Sequence, residues 1–184
     1  MKKLSLFVSF LFILSACSNI ERNATKANLD IIPIPQKMEI MDNVFNLDNN
    51  TVVVSDDEKN QFNATHLQTY LKKLFKSDVL LLKEANDNYI RLNIIDSDKC
   101  DDIGLMNDNE AYILNITSHG IEITSVDAAG IFYGIQTLLQ MLPNDIFAET
   151  SHAYDNIEFP NMRIVDNPRF KYRGLMLDCS RTFY

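Results

Sequence analysis

The 184-residue chain carries 17 basic against 25 acidic side chains, a formal net charge of −8. Nucleic acid and anionic surfaces both demand clustered Lys and Arg, so that balance argues against either as a partner and suits neutral or cationic substrates.

The chain opens like an export signal. Lys2 and Lys3 precede an apolar run, Leu4 to Leu14, that is too short to span a bilayer as a stable anchor. The run ends in Leu14-Ser15-Ala16-Cys17, small residues before a cysteine, which is the pattern of a bacterial lipoprotein signal. The cut would fall before Cys17, whose thiol takes a diacylglyceryl group; an ordinary cleaved signal with an incidental cysteine is the alternative. Removal of residues 1–16 takes two of the 17 basic residues and leaves 15 against 25 acidic ones. Lipidated Cys17 would hold the protein to a bacterial membrane of the cell envelope. Residues 17–28 are polar and poor in apolar side chains, and read as a tether.

Residues 29–156 read as one small α+β domain. Ile31-Ile32-Pro33-Ile34-Pro35 is an extended entry, since each proline pushes its predecessor out of the helical region. Phe45 to Leu47 and Val52 to Val54 are short strands around the polar Asp48-Asn49-Asn50 turn. Ser55-Asp56-Asp57-Glu58 has capping-box spacing and predicts a helix whose apolar face carries Phe62, Leu67, Tyr70, Leu71, Leu74 and Phe75. Val79 to Leu82 and Tyr89 to Ile95 are strands, and Cys100 to Asn109 is an acidic loop. Ala111 to Thr117 and Ile121 to Ser125 flank Ser118-His119-Gly120, a hairpin in which glycine is expected to supply a positive φ.

A second helix begins at the N-cap Asp127 and runs to Leu142, stopped by Pro143. Ile131, Ile135, Leu138 and Leu142 form its stripe. Gly130 and Gly134 weaken a helix intrinsically, so their four-residue spacing predicts close approach to a sheet. Cys100 and Cys179 are read as free thiols. Neither they nor His66, His119 and His152 have metal-ligand spacing, so no metal site is assigned, and His119 is read as a solvent-exposed turn residue.

Three segments resemble family-20 glycoside hydrolases, the β-N-acetylhexosaminidases. The first is Ile32-Pro33-Ile34-Pro35-Gln36-Lys37-Met38, like the opening strand of the family's accessory domain. The second is the glycine-spaced helix from Ala128 to Leu142 with its Gln136-Thr137-Leu138 step. The third, Pro168 to Arg181 (PRFKYRGLMLDCSR), is similar to the stretch that begins the family's catalytic barrel. Thr182 stands where the family usually has histidine.

The resemblance implies an accessory domain of α+β fold, small sheet plus helices. The first strand of a (β/α)8 barrel would follow within residues 157–184, the rest of the barrel being missing. It also implies removal of terminal N-acetylglucosamine or N-acetylgalactosamine from glycans by retaining catalysis, the substrate's acetamido oxygen acting as nucleophile. An Asp-Glu pair would polarise the acetamide and move the proton. The only Asp-Glu step here, Asp57-Glu58, lies in the helix cap, where the helix dipole alone favours carboxylates.

No catalytic residue is therefore assigned. Arg173 is expected to bind ring hydroxyls of the sugar, a role suited to the donor fork of a guanidinium, while Asp178 and Arg181 are read as structural. A whole barrel takes about 250 residues, so the chain is expected to be the N-terminal portion of an exported enzyme, inactive by itself. No cofactor is implied, and the expected partners are an N-acetylhexosamine-terminated glycan and the membrane. The alternatives are a non-catalytic surface lipoprotein whose α+β domain binds glycan or protein, and another glycosidase family with the same accessory domain.

Overall fold

A computed structural model describes residues 25–106, 108–150 and 152–176. The export signal (residues 1–16), Cys17, Asp178, Cys179, Arg181 and Thr182 lie outside the described residues. Among the described residues, no helix is long and apolar enough to cross a membrane.

The strands are β1 (Thr25–Lys26), β2 (Lys37–Asp48), β3 (Val52–Val54), β4 (Leu81–Leu82), β5 (Tyr89–Ile94), β6 (Tyr112–Thr117), β7 (Gly120–Ser125) and β8 (Asn156–Asp166). The helices are α1 (Gln61–Phe75), the short α2 (Cys100–Ile103) and α3 (Ala128–Gln140). All the strands join one mixed sheet. Strand β8 lies inside it. Along one edge it pairs antiparallel with β2, from Lys37↔Val165 to Asp48↔Asn156. Along the other it pairs antiparallel with β6 at Met162–Asp166 and parallel with β1 at Ile157 and Glu158. The sheet continues from β6 through β7, β5 and β3 to β4, the last three junctions being parallel.

This pairing moves two expected borders. Thr25 and Lys26 are already strand, and the N–H groups of Ala27 and Asn28 donate to Glu158 and Met141 carbonyls, so the tether gives way to the domain at Thr25 rather than after residue 28. The domain also runs through β8 to Asp166 instead of stopping at 156. Of the expected barrel strand, only residues up to Met176 are described. Lys171 to Met176 are irregular, take no place in the sheet, and leave Leu175 92% exposed.

Helices α1 and α3 cover one face, where Leu67, Leu71 and Leu74 of α1 and the α3 stripe Ile131, Ile135 and Leu138 meet Ile90, Ile121, Ile123 and Phe159 without solvent. Phe62, expected on this face, is exposed; Asn63 and Ala64 are buried instead. The opposite face carries a small cluster of Cys100, Leu105, Ala111 and Ile113, and Cys100 is a free thiol that burial makes harder to ionise.

The helix caps follow their local geometry. Ser55 is still in the sheet, its N–H donating to Leu82, so the expected capping box does not form. Asp57 caps instead, accepting from the Lys59 N–H at 2.8 Å ahead of a 3₁₀ turn at Glu58–Asn60. At α3 the predicted cap is present: Asp127 Oδ1 accepts from the Gly130 N–H at 2.8 Å. The hairpin also forms, with Thr117 opposite Gly120, but Gly120 does not adopt a positive φ. It is small for another reason: a Cβ there would stand 2.6 Å from the Tyr89 carbonyl oxygen.

Close approach of α3 to the sheet is observed. A Cβ on Gly130 would meet Ser125 Oγ at 2.1 Å, and one on Gly134 would meet Ile123 Cγ2 at 2.4 Å. Alanine at 134 gains about 1 kcal/mol of helix propensity but must overpack a closed contact, which typically costs about 1–3 kcal/mol. Gly134→Ala is therefore expected to lower the urea midpoint with an unchanged m-value; a midpoint at or above that of the parent would show that α3 does not rest on Ile123.

Candidate functional site

A cleft of about 1000 Å³ is bounded by three pieces of chain. The proline-rich arm (31–36) forms one wall, α3 with the neighbouring Glu110 and Tyr112 forms the second, and the exit from β8 (166–173) forms the third. The arm is fixed at both ends. The Ile32 N–H donates to Gln140 Oε1 at 2.9 Å, and the Gln36 N–H donates to Asp166 Oδ1 at 3.1 Å. Gln36 Nε2 also donates to the Asn167 carbonyl at 3.0 Å. The Ile32–Pro33 peptide is cis.

The floor is polar but satisfied. Tyr112 Oη lies 2.6 Å from Thr137 Oγ1, and the Tyr112 hydroxyl also donates to Asp166 Oδ2 at 3.4 Å. Burial holds the Tyr112 phenol above its ordinary value of 10.0; the bond with Thr137 opposes that rise and the Asp166 charge adds to it.

Arg173 lies in this cleft, as the one sequence-predicted sugar-binding residue within the described chain. Its Nη2 donates to Glu110 Oε2 at 2.7 Å and to the Tyr133 hydroxyl at 3.2 Å, and its Nη1 donates to the Phe170 carbonyl at 2.6 Å. Its Cζ stands 5.6 Å from the centre of the Tyr133 ring. The bond to Glu110, then that to Tyr133, raises the guanidinium's pKa further. Both charged side chains are partly exposed, at 39% and 30%, so solvent screens the pair and it adds little to stability. Its effect is to place the guanidinium. Glu110 and Tyr133 are far from Arg173 in sequence, and no spacing pattern in the chain signals them.

The remaining candidates are dispersed. Asp57 and Glu58 are at the 3₁₀ turn before α1. His66 stacks on Phe62, with ring centroids 5.8 Å apart, and meets Gln136 Nε2 at 3.2 Å. His119 and His152 are exposed beside Asp87 and Asp145, respectively. Among the described residues, no group of three or more His, Cys, Asp or Glu side chains is arranged to hold a metal ion.

Residues 28–167 match the model of glycosyl hydrolase family 20, domain 2. The chain is 30% identical over 179 residues to a β-hexosaminidase from Porphyromonas gingivalis, covering 94% of this chain and 22% of that protein. In three dimensions it is similar to the GH20 β-N-acetylhexosaminidase from Streptomyces coelicolor A3(2), with a TM-score of 0.68 and 26% identity over 84% of this chain and 29% of that one. It is also similar to the GH20 exo-β-N-acetylglucosaminidase from Vibrio harveyi, solved with N-acetylglucosamine, with a TM-score of 0.64 and 25% identity over 88% and 22% of the two chains. The chain thus spans less than a third of each of these relatives.

The Tyr112 arrangement fixes a pH dependence. A phenol pKa raised by folding contributes stability that is complete below the unfolded value near 10 and is lost as pH rises toward the folded value. Tyr112→Phe is expected to be about 1 kcal/mol less stable at pH 8, because Thr137 loses a buried partner. Its loss of stability above pH 10 should be shallower than the parent's; parallel urea-midpoint curves would mean that Tyr112 is not held neutral by the fold.

Proposed function

The chain belongs to glycosyl hydrolase family 20, carrying its domain 2, and from that premise we propose that it serves a β-N-acetylhexosaminidase acting on terminal N-acetylglucosamine or N-acetylgalactosamine. The family match over residues 28–167 carries this reading, supported by the common fold with the Streptomyces and Vibrio enzymes. The domain presents the exit from β8, where Pro168 to Met176 begin the stretch that resembles the family's first barrel strand. Arg173 would there hold sugar ring hydroxyls, two at a time, through the planar fork of its donors.

The chemistry proposed for the whole enzyme is substrate-assisted. The acetamido oxygen attacks the anomeric carbon as the glycosidic bond breaks, and a carboxylic acid protonates the leaving oxygen. The same residue, now a carboxylate, then takes a proton from the water that opens the cyclic intermediate. This chain contains no Asp-Glu step apart from the cap Asp57-Glu58, so we assign it no acid, base or polarising carboxylate. The Lys2–Cys17 segment supports export and lipid anchoring at Cys17, which would place the enzyme against envelope or environmental glycans.

The purified 184-residue polypeptide is expected to give no turnover of 4-nitrophenyl N-acetyl-β-D-glucosaminide. The coding DNA is expected to continue beyond the Tyr184 codon into a barrel with a His-x-Gly-Gly-Asp-Glu-like stretch. Steady release of nitrophenol by the 184-residue product would overturn the division of labour proposed here. Glycan capture without hydrolysis by a chain whose gene ends at Tyr184 would favour a binding lipoprotein.

A further inference from the structure

Helix α3 carries no charged side chain anywhere from Ala128 to Gln140. A helix with one side in water normally sets charged and polar residues there. On its outer side α3 sets Phe132 and Tyr133 beside Gln136 and Gln140, all of them partly exposed. The neighbouring α1 repeats the pattern. Phe62, His66 and Tyr70 stand at four-residue steps, which places them on one line, outside the buried stripe of that helix.

These rings touch one another. The His66 ring centroid lies 5.8 Å from that of Phe62, 5.2 Å from Tyr70 and 5.5 Å from Phe132. Phe147 extends the series beyond Tyr70 at 5.7 Å, and Tyr133 extends it beyond Phe132 at 5.9 Å. The result is an aromatic ridge that bridges both helices. Two of its ends are bare, Phe62 being 70% and Phe147 52% exposed. Single exposed apolar residues are ordinary, but contiguous ones mark an interaction site. Protein interfaces are enriched in aromatic side chains and depleted of charge at their centres, and the ridge matches both. The opposite face of the sheet is furnished differently, with Arg91 and Glu122 paired at 3.0 Å in partial contact with water.

The course of the chain says what covers the ridge. Strand β8 ends at Asp166, whose carboxylate accepts from the Gln36 N–H at 3.1 Å. Residues 167–170 then line the cleft together with Tyr133 and Gln136. The chain therefore leaves the sheet on the helix side, beside one end of the ridge. This chain covers 29% of the Streptomyces enzyme, so a protein of that kind has ample further chain to lay there.

We propose that the aromatic ridge of α1 and α3 is the seat of the catalytic domain, with Phe62 and Phe147 as its anchors. The inference rests on the reading above that a hexosaminidase barrel follows the exit from β8. The matching surface of that barrel is apolar, because the ridge offers no Asp, Glu, Lys or Arg to pair with a buried charge. Docking there holds the accessory domain against the barrel instead of leaving it to swing on the connecting residues.

Site-specific thiol labelling tests the covering. Phe62→Cys and Phe147→Cys are placed in the 184-residue chain and in the complete hexosaminidase polypeptide. Asn46→Cys, at an exposed position of β2, is the control. Reaction with iodoacetamide is followed at each site by peptide mass, which separates the native cysteines. In the 184-residue chain all three sites are expected to react as free thiols do. In the complete polypeptide the Phe62→Cys and Phe147→Cys thiols are expected to react at least about tenfold more slowly, since only local opening exposes them. Asn46→Cys should react alike in both.

Equal rates for the two ridge thiols in both polypeptides would overturn the seat and leave the hexosaminidase reading standing. Protection in a complete polypeptide that releases no nitrophenol from 4-nitrophenyl N-acetyl-β-D-glucosaminide would keep the seat and sink that reading. Slow labelling of the 184-residue chain that quickens on dilution would give the ridge to a second copy and overturn the proposal. A gene that ends at Tyr184 would overturn both.

Discussion

The contact of α3 with the sheet governs the rest of the architecture. It exists because Gly130 and Gly134 present no side chain where Ser125, Ala111 and Ile123 already stand. The start of the helix is tied down at the same place. Ser125 Oγ donates to the Ala111 carbonyl at 2.7 Å and accepts from the Asp127 N–H at 3.2 Å, while Asp127 caps the helix. Helix, hairpin end and the start of β6 are thus one joint. Everything that α3 carries toward the cleft (Tyr133, Gln136, Thr137 and Gln140) inherits its position from that joint.

A two-sided division of labour follows. On the helix face, the sheet is closed by aliphatic side chains at or near zero exposure. On the other face, polar pairs such as Arg91 with Glu122, 3.0 Å apart beneath the Tyr89 hydroxyl, remain in partial contact with water. The cleft sits at the margin of these two regimes. A satisfied network of Gln36, Asp166, Tyr112 and Thr137 stiffens its floor there, and the only guanidinium bond network described in the cleft converges on Arg173.

The local elements were legible in the sequence where local chemistry decides them. Asp127 as a cap, the α3 stripe and the glycine pair all follow from short-range periodicity, and each is present in the structure. Ser55 misled because its capping-box spacing is real, but its backbone was already committed to Leu82 in the sheet. Phe62 misled because an aromatic next to a helix start reads as core, whereas α1 turns it outward against His66.

Strand β8 was hidden by a break in its alternation. Ile157 and Phe159 are buried, then the phase slips across Pro160 and Asn161 before Met162 and Ile164 are buried in turn. That slip matches the bulge in β2 between Ile40 and Val44, where Asn43 takes φ +74°. In the cleft, Arg173 is the residue that its motif singles out. Glu110 was not legible, since nothing in a loop glutamate announces a partner so distant along the chain.

The pairing of β2 with β8 bears on biosynthesis. Lys37 must wait for Val165 and Asp48 for Asn156, so the longest strand keeps its hydrogen-bonding edges open until the intervening residues have emerged after it. Pairings between distant segments form slowly for want of entropy, and an open strand edge invites other chains. The charges of Lys37, Glu39 and Asp42 along β2 work against such pairing until its mate arrives.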